Sequence, residues 1–250
     1  MIKISASQCA TYRKCHRKYS YEYVDGKRSP STPKQEFGTN MHTELEEWML
    51  YGKVPGMVAQ QGIKYLPDRS FVNRPDLPTI LVEQQIDEEL LGFFITGRMD
   101  IMLLASARAS IYDHKTTSNM KYALDSEGLS NDTSALFYAL YVRLKYNISE
   151  IDLRWIYYSA TNPVIGNRKP NGCREVIAEL RDNAETDEKF HNLVVDMTRM
   201  IHIRENSIKP EFCERNFASC ETYGGCFHKS YCITDEVRAG LLKEKLRKSL

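Results

Sequence analysis

Two apolar spacings alternate along the chain. Met41, Leu45, Trp48 and Met49 recur every three or four residues, which predicts a helix whose apolar stripe carries His42 at its edge and turns Glu44, Glu46 and Glu47 to solvent. The same spacing returns in Leu136, Ala139, Leu140 and Leu144, and again in Phe190, Leu193, Val194, Met197 and Ile201. Between the first two helices, Ile80 to Ile86, Phe93 to Leu104 and Ser110 to Lys115 read as three strands. Asp87-Glu88-Glu89 with a glycine separates the first two, and Ser106-Ala107-Arg108 the last two. Ile151 to Tyr158 alternates Ile151, Leu153, Trp155 and Tyr157 as a further strand, and Arg174 to Leu180 is another after a Pro- and Gly-rich loop at Asn162 to Gly172.

Punctuation sets the boundaries. Ser5 or Ser7 caps a first short helix bearing Tyr12 and Cys15, and Tyr19 to Val24 continues it or runs extended. Lys27 to Phe37, rich in Pro, Ser and Lys, reads as a mobile loop, with the next helix opening at Gly38-Thr39 and stopping at Gly52. Val54 to Pro78 reads as loop with at most a short strand. Asn131 or Asp132 caps the second long helix, Thr186 the third, and Pro210 marks that helix's end. The order helix, three strands, helix, strand points to an α/β fold.

The 250 residues, 42% of them hydrophobic, suffice for one large unit or two small ones. A formal net charge of +1 excludes a generally basic protein, so any nucleic-acid contact must come from local clusters such as Arg13, Lys14, Arg17 and Lys18. No run approaches the length of a membrane helix and the N-terminus lacks a signal-peptide core, which reads as a soluble, cytoplasmic protein. Seven cysteines without such a signal favour metal ligation or buried thiols over a disulfide framework.

The candidate chemistry begins with Asp100 and Asp113 on neighbouring strands, with Lys115 two positions on. Period-two alternation turns Asp113 and Lys115 to one side and Tyr112 and His114 to the other. Converging carboxylates suit a hard divalent cation such as Mg2+ or Mn2+, which activates water and stabilises charge on phosphate. The pattern D…D-x-K is common by chance and also fits an exposed edge strand. His42 adds an imidazole that a metal site or a packed core could equally use. Glu83 lies on the preceding strand with its side undetermined, and stays outside the site. Cys220, Cys226 and Cys232 are separated by five residues each around Gly224-Gly225, a spacing for an iron–sulfur cluster or zinc completed by a fourth ligand from elsewhere.

In order, Gly38-Thr-Asn-Met-His42, Gly97-Arg-Met-Asp100, Asp113-His-Lys115-Thr116 and a helix with Tyr138 resemble the motifs of RecB-like PD-(D/E)XK nucleases. The resemblance implies a restriction-endonuclease-like α/β core, with a mixed central sheet flanked by helices and terminal segments joined by a metal cluster. It implies a single unit over 1–250, made of an N-terminal helical part (1–78), a catalytic core (79–160) and a C-terminal helical part (161–250). His42, Asp100, Asp113 and the backbone of His114 would hold Mg2+ or Mn2+, and Lys115, Asp100 and Asp113 would be catalytic. Tyr138, Arg17 and Lys18 would contact substrate. The family commonly has glutamine four residues before that tyrosine, where this chain has Ser134; Asn131, one turn earlier, could supply an amide instead.

A subset that includes the AddB nuclease domain and CRISPR-adaptation exonucleases, alongside bacteriophage RecB-like exonucleases, resembles the cysteine arrangement too. That implies a [4Fe-4S] cluster on Cys15, Cys220, Cys226 and Cys232, with Cys9, Cys173 and Cys213 outside it. The implied activity is metal-dependent DNA hydrolysis, as an exonuclease on single-stranded DNA or duplex ends. Protein partners would come from a recombination, repair or CRISPR complex in a bacterial or phage-infected cell. The alternative is a weak or inactive DNA- or partner-binding module that keeps the fold.

Overall fold

The computed structural model describes residues 2–161, 169–221, 225–237 and 240. The expected loop at Asn162 to Gly172 falls largely outside them. The chain runs β1 (Lys3–Ile4), α1 (Ala6–Lys14), α2 (His16–Tyr23), α3 (Pro33–Tyr51) and α4 (Met57–Gln60), then β2 (Thr79–Leu90), β3 (Phe93–Leu104) and β4 (Arg108–Thr117). After these come α5 (Ser126–Ser130), α6 (Thr133–Tyr146), β5 (Glu150–Thr161), β6 (Lys169–Leu180) and α7 (Ala184–Glu205). Residues 229–237 are helical.

The result is the mixed α/β architecture of the restriction-endonuclease-like class, a central mixed sheet between helical layers. On one edge β3 pairs antiparallel with β2 along its length. On the other it pairs first with β1, in parallel at Phe94 and Ile95, and then with β4, antiparallel from Ile101 to Leu104. Parallel β5 and antiparallel β6 complete the sheet. Beyond Ile101 and Tyr112 the β3–β4 ladder ends, and the two strands fork while β4 keeps its pairing to β5.

Both faces are covered. α1, α6 and α7 pack on one, where Leu136, Leu140, Phe190, Leu193 and Met197 meet Met102, Ile111, Leu153 and Trp155. α3 and α4 pack on the other, where Met41, Leu45 and Met49 meet Ile80, Ile101, Tyr112, Ile156 and Tyr158. Burial of each of those three α3 side chains contributes about 1.5–3 kcal/mol. β5, apolar on both faces, is an interior strand of the sheet, between parallel β4 and antiparallel β6.

Several boundaries differ from the expected ones. α3 starts at Pro33, inside the segment expected to be loop: Thr32 accepts from the Gln35 N–H while Gln35 Oε1 accepts from the Thr32 N–H, so a capping box with proline at the first helical position sets the start. β2 runs through Asp87-Glu88-Glu89 to Leu90 and turns at Leu91-Gly92, both left-handed. Asn183, not Thr186, caps α7, its Oδ1 accepting from the Thr186 N–H. Tyr19 to Val24 is helical up to Tyr23, Val54 to Pro78 holds α4 and single turns, and β1 was not anticipated.

Candidate metal centre and cysteine cavity

Asp100 sits at the root of the fork. Its Oδ2 accepts the His114 backbone N–H at 2.8 Å, taking over a donor that the ended ladder leaves without a strand partner, and its Oδ1 pairs with His42 Nδ1 at 3.0 Å. α3 delivers His42 alongside β4; a Cβ on Gly38, one turn earlier, would meet Thr116 Oγ1 at 3.4 Å, an ordinary contact. Asp113 stands on the opposing prong, buried, with Lys115 Nζ at 2.5 Å from its Oδ2. The expected shared side of Asp113 and Lys115 is thus observed. The ammonium also lies 5.4 Å from the centroid of the Trp155 ring.

One ligand atom from each of His42, Glu83 and Asp100 lies within 4.8 Å of the others. These residues, Asp113, Arg98 and Tyr138 line one open cleft of about 450 Å3, together with Gln35, Gly38, Thr39, Thr43 and Glu46 of α3. Tyr138 of α6 closes the far wall, its hydroxyl donating to the Arg98 carbonyl at 3.0 Å. Ser134 and Asn131 do not line the cleft, and the Asn131 amide donates instead to the Glu127 carbonyl. The His114 ring turns away from the acids, its Nδ1 within 3.2 Å of the Tyr158 hydroxyl and its edge toward the His42 ring.

Glu83 is the residue that sequence reasoning left out. It lies opposite Asp100 in the register running from Val82–Ile101 to Gln84–Met99, and its backbone is left-handed (φ 51°). On one side of it Ile80 and Val82 face the α3 layer, and on the other Ile86 faces the α6 layer, so the strand changes face at Glu83. Arg98, 2.6 Å from its carboxylate, comes into the cleft with it. The sequence signal was a carboxylate in register with Asp100; the break in alternation concealed it.

The charges are mutually dependent. Burial would raise the Asp100 carboxyl, but its hydrogen bond to His42 and the His42 charge hold it below the ordinary value. Burial would lower His42, and Asp100 holds it above. Asp113 is pushed up, by burial first and by Asp100, against the pull of Lys115. Lys115 is raised despite burial because Asp113 holds its proton, so it is an ammonium at neutral pH. Burial takes His114 down to about 4, and the ring is neutral. Glu83 rises to about 7 through burial and the Asp100 charge, opposed by Arg98.

The Glu83 shift has a pH-dependent consequence. A carboxyl whose folded pKa lies above its ordinary 4.5 costs stability once ionised, a cost absent below 4.5, growing to about 7 and constant above. Glu83→Gln should therefore raise the Tm of metal-free protein more at pH 8 than at pH 5, read by thermal unfolding in chelator. An equal difference at both pH values would contradict the assignment.

The second constellation lies just before α3, whose N-cap Thr32 lines it. Cys15, at the junction of α1 and α2, lines one cavity of about 280 Å3 with Cys220, Cys226 and Cys232, while Cys9 and Cys213 are buried in the main core and Cys173 packs against the α3 layer. N–H groups point at the sulfurs: Asn216 N donates to Cys15 Sγ at 3.5 Å, and Arg17 Nη1 and Arg215 Nη1 donate to Cys232 Sγ at 3.5 and 3.7 Å. Among the described residues, no three of these sulfurs lie within 4.8 Å of one another.

The cavity also holds Arg17 and Lys18, the expected DNA contacts. The Arg17 guanidinium donates to the Cys213 and Glu211 carbonyls as well as to Cys232, with its side chain 11% exposed. Lys18 pairs with Glu22 at 3.6 Å and Arg13 with Asp196 at 2.6 Å.

The family model of the PD-(D/E)XK nuclease superfamily matches residues 3–66 and 63–233. Two solved structures are similar. One is the crystal structure of SSO0001, with a TM-score of 0.40 and 13% identity over 81% of this chain and 76% of that one. The other is a phage-related exonuclease from Haemophilus somnus 129PT, with a TM-score of 0.35 and 16% identity over 82% of this chain and 96% of that one. No curated protein matches the sequence. Among the described residues no helix is long and apolar enough to cross a membrane.

Proposed function

Because the chain belongs to the PD-(D/E)XK nuclease superfamily, we propose that it is a Mg2+- or Mn2+-dependent deoxyribonuclease acting as an exonuclease on single-stranded DNA or duplex ends. One observation carries the reading: the fork between β3 and β4 gathers His42, Asp100 and Asp113 into one open cleft, with Lys115 paired to Asp113 beside it. The donor set, imidazole plus carboxylate oxygens, fits a hard divalent cation. His42, Asp100, Asp113 and the His114 carbonyl would hold the ion, and Glu83 joins them. When bound, the ion supplies Lewis acidity toward water and phosphate.

The chain's own groups do the rest. Lys115, an ammonium held by Asp113, offers positive charge and a proton beside the reacting phosphate. Arg98, half exposed at the cleft, suits a neighbouring phosphate of the same strand. Tyr138 fixes the Arg98 backbone and so the spacing of the far wall. Lys18, at the cysteine cavity, would meet a phosphate further along.

The same reading gives the RecB-like subset and its [4Fe-4S] cluster on Cys15, Cys220, Cys226 and Cys232. Four cysteines on one cavity, with N–H donors to the sulfurs of Cys15 and Cys232, support it. The cluster would tie the N-terminal helices to the C-terminal segment.

The test is cleavage of end-labelled single- and double-stranded oligonucleotides with Mg2+ or Mn2+, with Asp100→Asn as control. Shortening from an end that requires the metal and disappears in the control is expected. Equal loss of substrate in both proteins would refute the reading.

A further inference from the structure

Cys232 differs from the other three cysteines of its cavity. Two guanidiniums converge on its sulfur, both with largely buried side chains, 11% and 13% exposed. They share one carboxylate: Glu236 lies 3.6 Å from Arg17 Nη1 and 2.6 Å from Arg215 Nη1. The rest of Arg17 is fixed by the Cys213 and Glu211 carbonyls, and Arg215 is stacked 3.5 Å from the centroid of Phe217. Arg215 Nε is buried with no acceptor among the described residues.

Among the described residues one carboxylate, Glu236, faces both cations. Both guanidiniums also donate to Cys232 Sγ, so the trio presents net positive charge and directed N–H groups to that sulfur. The arrangement suits an anionic metal–sulfur centre bonded through it. An arginine there keeps its charge and supplies directed N–H groups, which hydrogen-bond sulfur ligands and tune the centre they hold.

Resting on the reading that the four cysteines hold a metal centre, we propose that Arg17 and Arg215, spaced by Glu236, are positioning residues that retain an anionic centre at Cys232 and raise its reduction potential. The sign of each charge then decides the sign of each effect. Neutralising either arginine weakens retention and moves the potential of an iron centre negative. Neutralising Glu236 leaves more positive charge at the sulfur, so retention is undiminished and the potential moves positive.

The experiment uses the full chain, wild type and the variants Arg17→Gln, Arg17→Lys, Arg215→Gln and Glu236→Gln. Bound metal is identified by elemental and sulfide analysis, its rate of release to excess chelator is followed, and for iron the midpoint potential is measured. Release about tenfold faster or more in both glutamine variants of arginine, the range met when partners of metal ligands are removed, is expected. Arg17→Lys should fall nearer wild type, and Glu236→Gln should not accelerate release. Wild-type rates in both arginine variants, or acceleration by Glu236→Gln equal to theirs, would overturn the clamp while leaving the metal centre standing. Zinc in the wild type would refute the iron–sulfur reading, with release rates still deciding the clamp. A metal-free wild type would overturn both.

Discussion

Lys115→Ala is expected to lower the DNA-cleavage rate by roughly 10²- to 10⁴-fold, the span of a positioned proton-transfer group, while metal binding persists. Lys115 is protonated and ion-paired at 2.5 Å to Asp113, so it has no lone pair to give a cation. Its removal takes positive charge from the reacting phosphate without removing a ligand, whereas Asp100→Asn removes both the His42 partner and a ligand oxygen. Single-turnover cleavage at saturating Mn2+, beside a Mn2+ titration, separates the two. An unchanged rate in the alanine variant would show that the ammonium serves only to neutralise Asp113. Arginine should not restore the rate, since a planar fork replaces a compact charge against the Trp155 ring.

Gly62→Ala is expected to destabilise the protein by roughly 1–3 kcal/mol, the usual cost of overpacking, read as about 2–4 °C of Tm per kcal/mol for a chain of this size. A Cβ there would lie 1.9 Å from Tyr158 Oη and 2.4 Å from two ring carbons. Tyr158 cannot yield easily: its ring is fully buried on β5 and its hydroxyl lies 3.2 Å from His114 Nδ1. His114 in turn sets its edge against His42. The strain should therefore also weaken Mn2+ affinity, although Gly62 lies outside the cleft. A Tm and a Mn2+ titration equal to wild type would show that the ring has room to move.

Legibility followed the physics of each signal. β3 was read with its observed ends, Phe93 and Leu104, because apolar periodicity and turn residues agree there. His42, Asp100, Asp113 and Lys115 were legible as an ordered set, and the structure draws them to one fork. Cys15 lines the cysteine cavity while α1 turns Cys9 into the main core. Glu83 was not legible, because facing is inferred from alternation and alternation reverses at that residue. The start of α3 was hidden because proline and polar residues signal a loop as readily as a capped helix start. Sequence gives charge but not direction: the Arg17 guanidinium donates to the Cys232 sulfur and to two backbone carbonyls.

The central claim is that the β3–β4 fork is the protein's divalent-metal site. The most direct measurement is a crystal structure of the protein with Mn2+ and the metal's anomalous signal. The predicted result is a peak bounded by His42, Asp100 and Asp113, with the Glu83 carboxylate facing it and Lys115 outside its ligand set, and no such peak in Asp100→Asn. A strong Mn2+ peak elsewhere on the chain with the fork empty, or a fork peak that survives Asp100→Asn unchanged, would contradict it.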